Sequence, residues 1–215
     1  MARLRHRRRD VTAGSTVDAH ALPALHPSPG GTSSPWVVLF GNDRPVEIEI
    51  GPGRGDVLLA FAQARPEVNF FAIEHVRGAA EHVAARLRTA GVQNARVLGA
   101  DAACVVDRLV PSASVAAYHV YFPDPWPKHR HRKRRLVTSS FALAMARTLV
   151  PGGAVHVATD LGALFDDMVQ VLETAGFIRR DDAPAPVRPA TRFEQKYAAA
   201  GTFAATFSPP IPPPG

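Results

Sequence analysis

Four acidic residues, Glu49, Glu74, Asp101 and Asp124, each stand at the end of a short apolar run. The first precedes a glycine turn, E-I-G-P-G-R-G, with Gly51, Gly53 and Gly55 at alternate positions. Glycine accepts φ > 0 and lets a ligand approach the backbone closely. A dinucleotide fingerprint would be G-x-G-x-x-G, but position 56 is Asp56, so the spacing here is G-x-G-x-G. A plain tight turn is the alternative. The Glu49 carboxylate is the better clue, because it repels a pyrophosphate and attracts a ligand with a cationic group. Glu74 lies 19 residues beyond Gly55. An acid there can accept from both hydroxyls of a ribose, or can be a solvated strand-end charge. Asp101 in GADA can accept from an adenine amine or cap the helix that follows. Each acid is ambiguous singly. Three acids ending three successive strands after such a turn describe a nucleoside pocket with an amine partner and no phosphate cradle, which S-adenosylmethionine fits.

Asp124 sits in YFPDPWPKHRHRKRRL, residues 121–136. Proline fixes its own φ and lacks an N–H, and it restricts the residue before it. A stiff extended loop is therefore expected over 122–127, holding Asp124 and Trp126 in a defined pose. Trp126 is either a pocket wall or core packing. The Asp124 carboxylate is a good acceptor for the adjacent N–H groups of a guanine Watson–Crick edge. Lys128, Arg130, Arg132, Lys133, Arg134 and Arg135 follow at once, interleaved with His129 and His131. Six cations in eight residues, directly after a candidate active-site acid, point to a phosphate backbone. The histidines do not suggest a metal site, since the neighbouring cations oppose a divalent ion and no cluster of Cys or Asp ligands is near.

Eleven of the 25 Lys and Arg residues fall in two stretches, 3–9 and 128–135, and the chain of 215 residues carries a net charge of +6. Charge so localised favours a polyanion partner. The single cysteine, Cys104, excludes an intrachain disulfide and fits a cytoplasmic setting. No apolar run approaches the ~20 residues of a membrane helix. Residues 1–9 resemble the charged start of a signal peptide, but no apolar stretch follows.

Positioning these groups requires a framework, and the chain alternates accordingly. Strands are expected at 45–50, 68–74, 95–101, 114–122 and 154–160, with closing strands at 177–180 and 202–207. Helices are expected at 56–65, 78–91, 136–149 and 161–176, the third because Phe141, Ala144, Met145 and Thr148 share one face. The turn PGG at 151–153 separates the third helix from its strand. This is the pattern of an α/β fold: a doubly wound, mostly parallel seven-stranded sheet with an antiparallel C-terminal strand. Ligands of such sheets sit at the carboxyl ends of the strands. Residues 1–35 form a basic, low-complexity tail, 36–208 the domain, and 209–215 a Pro-rich tail.

IEIGPGRG, AIEH, GADA, YFPDPWPKHRHRKRRL, HVATD and TRFE, in this order and spacing, resemble the bacterial tRNA (guanine-N7)-methyltransferases. The resemblance covers roughly 40–207. It implies a Rossmann-like class I methyltransferase fold that uses S-adenosylmethionine. It implies cofactor contacts around the glycine turn at Glu49, Gly51 and Gly53, and at Glu74, Asp101 and Asp124, with Asp124 also the active-site acid. Substrate contacts are implied at Lys128, Asp160, Thr191, Arg192, Phe193 and Glu194. RNA contacts are implied at Arg130, His131, Arg132, Lys133, Arg134 and Arg135. The implied partner is tRNA, methylated at a variable-loop guanosine, with no metal and no membrane, by a monomer or homodimer. The R-S-F-x-x-R segment common near the N-terminus of that family is represented here only by RLRHRRR. Two other classes stay open on the residues alone: a methyltransferase of a free nucleoside or small heterocycle, and a non-catalytic RNA-binding protein.

Overall fold

The computed structural model describes residues 16–17, 34–127, 129–182, 186–190, 194 and 201–210. Apolar strands buried on both faces form the centre: β2 (Val46–Ile50), β3 (Asn69–Glu74), β4 (Ala95–Gly99), β5 (Val115–Tyr121) and β6 (Leu149–Thr159). Runs of this kind are what a parallel sheet with helices on both faces demands. Two short strands close one edge, β7 (Ile178–Arg179) and β8 (Phe203–Ser208), while β1 (Thr16–Val17) adds the other. The order is β1-β4-β3-β2-β5-β6-β8-β7, and only the β6–β8 and β7–β8 pairings are antiparallel. The expected mostly parallel sheet with an antiparallel C-terminal strand is therefore present.

Helices α1 (Pro35–Phe40), α4 (Ala102–Arg108), α5 (Ser139–Thr148) and α6 (Gly162–Thr174) cover one face through residues such as Trp36, Val106, Phe141 and Met168. On the other face lie α2 (Asp56–Ala64) and α3 (Arg77–Thr89), packed through Leu58, Phe61, Val83 and Leu87. None of the described helices is long and apolar enough to cross a membrane.

Four elements depart from the sequence expectation. Thr16 and Val17, inside the expected tail, pair with Val97 and Leu98 and so cover the edge of β4. They are adjacent β-branched residues in a Gly- and Ser-rich stretch, which suits an edge strand. Helix α1 was unexpected. Ser34 caps it, Pro35 opens it and Gly41 closes it in the left-handed region. The third expected helix starts later, at Ser139, because the Thr138 side chain accepts from Phe141 N–H and caps it there. Finally, PGG is no separate turn. β6 spends five steps from Leu149 to Ala154 where β5 spends two from Val115 to Ala117, so these residues bulge within one strand.

Candidate active site

The carboxyl ends of β2, β3, β4 and β5 bring Glu49, Glu74, Asp101 and Asp124 to one edge of the sheet. Between β2 and α2 the glycine turn folds back on itself. Gly51 N–H donates to Ile73 O and Gly55 N–H to Pro52 O, each at 2.8 Å. Gly53 has φ +55, and a Cβ there would meet nothing within 4 Å. Its surroundings are open, and only its backbone angle demands glycine. Gly55 differs: a Cβ would come within 2.6 Å of Val83 Cγ1, so this glycine lets α3 pack against the turn.

Glu74 is buried, and both of its carboxylate oxygens are engaged. Oε2 accepts from Gly53 N–H at 3.2 Å and Oε1 from Val76 N–H at 2.9 Å. It ties the glycine turn to the end of β3 and keeps lone pairs for further donors. Asp101 acts as the helix cap that its position allowed: Oδ1 accepts from Cys104 N–H at 2.8 Å, while the side chain stays exposed.

Glu49 is 5% exposed, and its Oε2 has no hydrogen-bond partner. Burial pushes its carboxyl up to about 8, the Arg188 charge works against this, and Asp56 and Glu74 add to the rise. A buried acid with an unpartnered oxygen beside an open glycine turn has the capacity to accept a further donor or cation. These are the groups an S-adenosylmethionine amino end requires, and on this observation the residues fit that cofactor.

Arg188 is the chief residue that sequence reasoning missed. Its guanidinium lies 4.6 Å from the Tyr121 ring centroid and 5.3 Å from that of Phe122. It pairs with both oxygens of Glu194, Nη1 to Oε2 at 2.6 Å and Nη2 to Oε1 at 2.8 Å, with side-chain exposures of 11% and 15%. Glu194 is thereby tied, through Arg188, to the end of β5. The only sequence signal was an arginine six residues before that glutamate.

Glu49 faces a polar row that runs across the sheet. It lies opposite His119, His119 opposite His156, and His156 opposite Thr206. The two imidazoles stack at 5.1 Å. His119 Nε2 meets Glu47 Oε2 and Nδ1 meets the Tyr121 hydroxyl, each at 2.8 Å. Burial alone would raise Glu47, but the hydrogen bond and charge of His119, with Arg65, hold it below its ordinary value. Burial lowers His119, against the pull of Glu47. The imidazole is therefore neutral at pH 7, donating from Nε2 to the ionised Glu47 and accepting at Nδ1 from Tyr121.

The loop after β5 is less extended than its prolines imply. Phe122 N–H still reaches Ala158 O at 2.8 Å, but Phe122 and Trp126 have φ of +49 and +41. Each departure costs about 1–3 kcal/mol and has to be held by its surroundings. Between these two bends Asp124 is exposed, as Asp101 is. Asp160 follows β6 and is partly exposed.

The basic stretch forms a 3₁₀ segment, His129–Arg134. Arg134 lies 4.9 Å above the Trp126 ring, and His131 meets the same indole edge-on at 5.9 Å. Trp126 is thus a platform for the basic segment. Arg130 is exposed and its Nε donates to His131 at 3.3 Å. Arg135 breaks the pattern by turning inward toward Pro125 and Asp167. Lys128, Thr191, Arg192 and Phe193 lie outside the described residues, as do the side chains of Arg132 and Lys133.

The family described as "Putative methyltransferase" matches residues 43–205. The tRNA (guanine-N(7)-)-methyltransferase of Sodalis glossinidius is 39% identical over 188 residues, 82% of this chain and 78% of that protein. The enzyme of that name from Cronobacter sakazakii is 40% identical over 167 residues, 74% of this chain and 70% of that protein. Among solved structures, an aminoglycoside resistance methyltransferase superposes with a TM-score of 0.54 at 19% identity, covering 76% of this chain and 86% of that one. A SAM dependent methyltransferase from Aquifex aeolicus gives 0.54 at 13% identity, over 80% of this chain and 87% of that one. The likeness to these two structures is one of fold.

Proposed function

The chain belongs to the tRNA (guanine-N(7)-)-methyltransferase family, and on that premise we propose that it methylates N7 of a variable-loop guanosine in tRNA, in the cytoplasm, with S-adenosylmethionine as methyl donor. The observation that carries the reading is Glu49: buried, with one carboxylate oxygen unpartnered, beside the open turn at Gly51 and Gly53. A cationic cofactor end is what completes it.

When bound, the cofactor supplies an electrophilic methyl group on a sulfonium. Glu49 would hold its amino end, Glu74 its ribose and Asp101 its adenine. Glu74 also fixes the turn from below through Gly53. Because guanine N7 has a free lone pair and no proton, no residue here needs to act as a general base. The work of the protein is orientation, which brings nucleophile and methyl group to reacting distance.

Asp124, exposed between two bent prolyl junctions, would grip the Watson–Crick edge of the guanine and leave N7 free. Asp160, Lys128 and residues 191–194 would close the base site, with Arg188 anchoring Glu194 against Tyr121. The exposed cations of the segment after Trp126 would bind the phosphate backbone, giving affinity that falls with salt.

The test incubates the protein with labelled S-adenosylmethionine and unmodified tRNA, then cleaves the RNA specifically at N7-methylguanine. One new cut in the variable loop is expected. Label in tRNA without that cut would remove the guanine-N7 assignment, and label only in a free nucleoside would remove tRNA as substrate.

A further inference from the structure

We propose that Arg135, the last cation of the basic stretch, is a positioning residue that clamps the Asp124 loop to α6 and does not contact RNA phosphate. The role rests on Asp124 acting as described above.

Residues 130–135 read as a uniform charge run, but their side chains divide. Arg130 and Arg134 are exposed. Arg135 is only 13% exposed, and its guanidinium pairs with Asp167, a residue of α6. Its Nε donates to the carbonyl of Pro125 at 3.0 Å. That carbonyl belongs to the residue next to Asp124, so one side chain joins the acid's own backbone to a neighbouring helix. Pro123 and Asp124 share a small cleft with Arg135, Leu136, Asp167 and Met168. The other side of the joint is firm, since Leu164, Phe165, Met168 and Leu172 bury α6 in the core.

The loop needs such a clamp for two reasons. Pro123, Pro125 and Pro127 have no N–H, so half of the six residues 122–127 cannot donate a backbone bond to the rest of the fold. Phe122 and Trp126 also hold positive φ, which persists only where the surroundings over-determine it. A guanidinium can meet both demands at once, because its planar fork donates in several fixed directions. A phosphate contact would ask Arg135, itself only 13% exposed, to abandon its partner carboxylate on α6. It would also bring phosphate toward the negative charge of Asp167, which opposes the contact.

The test uses a Trp36→Phe background, in which Trp126 is the sole tryptophan and reports on the loop. Arg135→Ala, Arg135→Lys and Asp167→Asn are compared with Arg130→Ala. For each, acrylamide quenching of Trp126, kcat, KM and the salt dependence of tRNA binding are measured. Arg135→Ala is expected to raise quenching and lower kcat about 10- to 100-fold, as misplacement of a reacting group does. Its salt slope should equal that of the parent. Asp167→Asn should shift quenching and kcat the same way by less, and Arg135→Lys should recover part of both. Arg130→Ala should instead lower the slope by about 0.7–0.9. A matching drop in slope for Arg135→Ala, with parental quenching and kcat, overturns the proposal. Should that variant not fold, parental quenching and kcat in Asp167→Asn overturn it equally. Quenching needs no substrate, so an inactive parent would refute the methylation reading while the clamp is still tested.

Discussion

The N–H of Gly53 donates to Glu74 Oε2 at 3.2 Å, so the acid ending β3 also shapes the glycine turn that follows β2. A residue with a Cβ at position 53 has room but the wrong backbone angle, φ +55. Gly53→Ala is therefore expected to cost about 1–3 kcal/mol of stability through strain alone. Glu74→Ala removes the tie and, on the role proposed for it, the ribose acceptor together. Calorimetric titration with S-adenosylmethionine should show at least tenfold weaker binding for Glu74→Ala. Unchanged affinity would reduce Glu74 to a strand-end brace.

Glu49 sets a trade between stability and binding. Its carboxyl is raised from an ordinary value of 4.5 to about 8, first by burial. The folded state then holds a proton that the unfolded chain releases. The stability this contributes is full below pH 4.5 and is lost as pH rises through about 8. Glu49→Gln removes that loss, so at pH 9 the variant should unfold at higher denaturant than the parent. On the role proposed for Glu49, cofactor binding uses the ionised acid, so the parent's affinity should rise by up to about tenfold per pH unit below 8. The Glu49→Gln protein should bind weakly at every pH. Proton release, read from titrations in buffers of different ionisation enthalpy, checks the coupling. A pH-independent affinity would count against it.

Much of this was legible in sequence for a local reason. The central strands are short and mainly apolar, and an acid stands at or just beyond the end of each, so Glu49, Glu74 and Asp101 could be placed before any pairing was known. The six residues of α1 are too few to show helical period, although Ser34, Pro35 and Gly41 carried its start and stop signals. The row Glu49–His119–His156–Thr206 depends on sheet register, which spans residues up to 157 positions apart, and Arg188 meets Tyr121 and Phe122 only through the tertiary fold; neither leaves a trace in local pattern. Arg135 was hidden for the opposite reason. Among so many neighbouring cations, nothing local marks the one that turns inward.

The stacked histidines make an acid limit. Burial lowers His119, and it pushes His156 down to about 3 with the help of His119. Both imidazoles fold neutral, so unfolding takes up protons once pH falls below the ordinary value of 6.5. Their contribution is present above 6.5 and is lost as pH falls toward about 3. Urea midpoints should decline over that window, and His156→Asn should flatten the decline. An equally steep decline in that variant would place the acid sensitivity elsewhere.

Asp124 offers the sharpest separation of chemistry from affinity. It is exposed on a loop held by Arg135 at one carbonyl and by Trp126 at the base of the basic segment. Asp124→Asn preserves shape and swaps one acceptor oxygen for a donor, which opposes the N–H groups of a guanine edge. A polar mismatch of this sort, buried once the base is bound, costs about 1–3 kcal/mol, so kcat/KM should fall about 5- to 150-fold. Arg130 and the other exposed cations are untouched, so the salt slope of tRNA binding should stay at the parental value. Single-turnover methylation with saturating enzyme isolates the step. Full turnover by Asp124→Asn would remove the base-gripping role and leave the carboxylate as a cofactor contact alone.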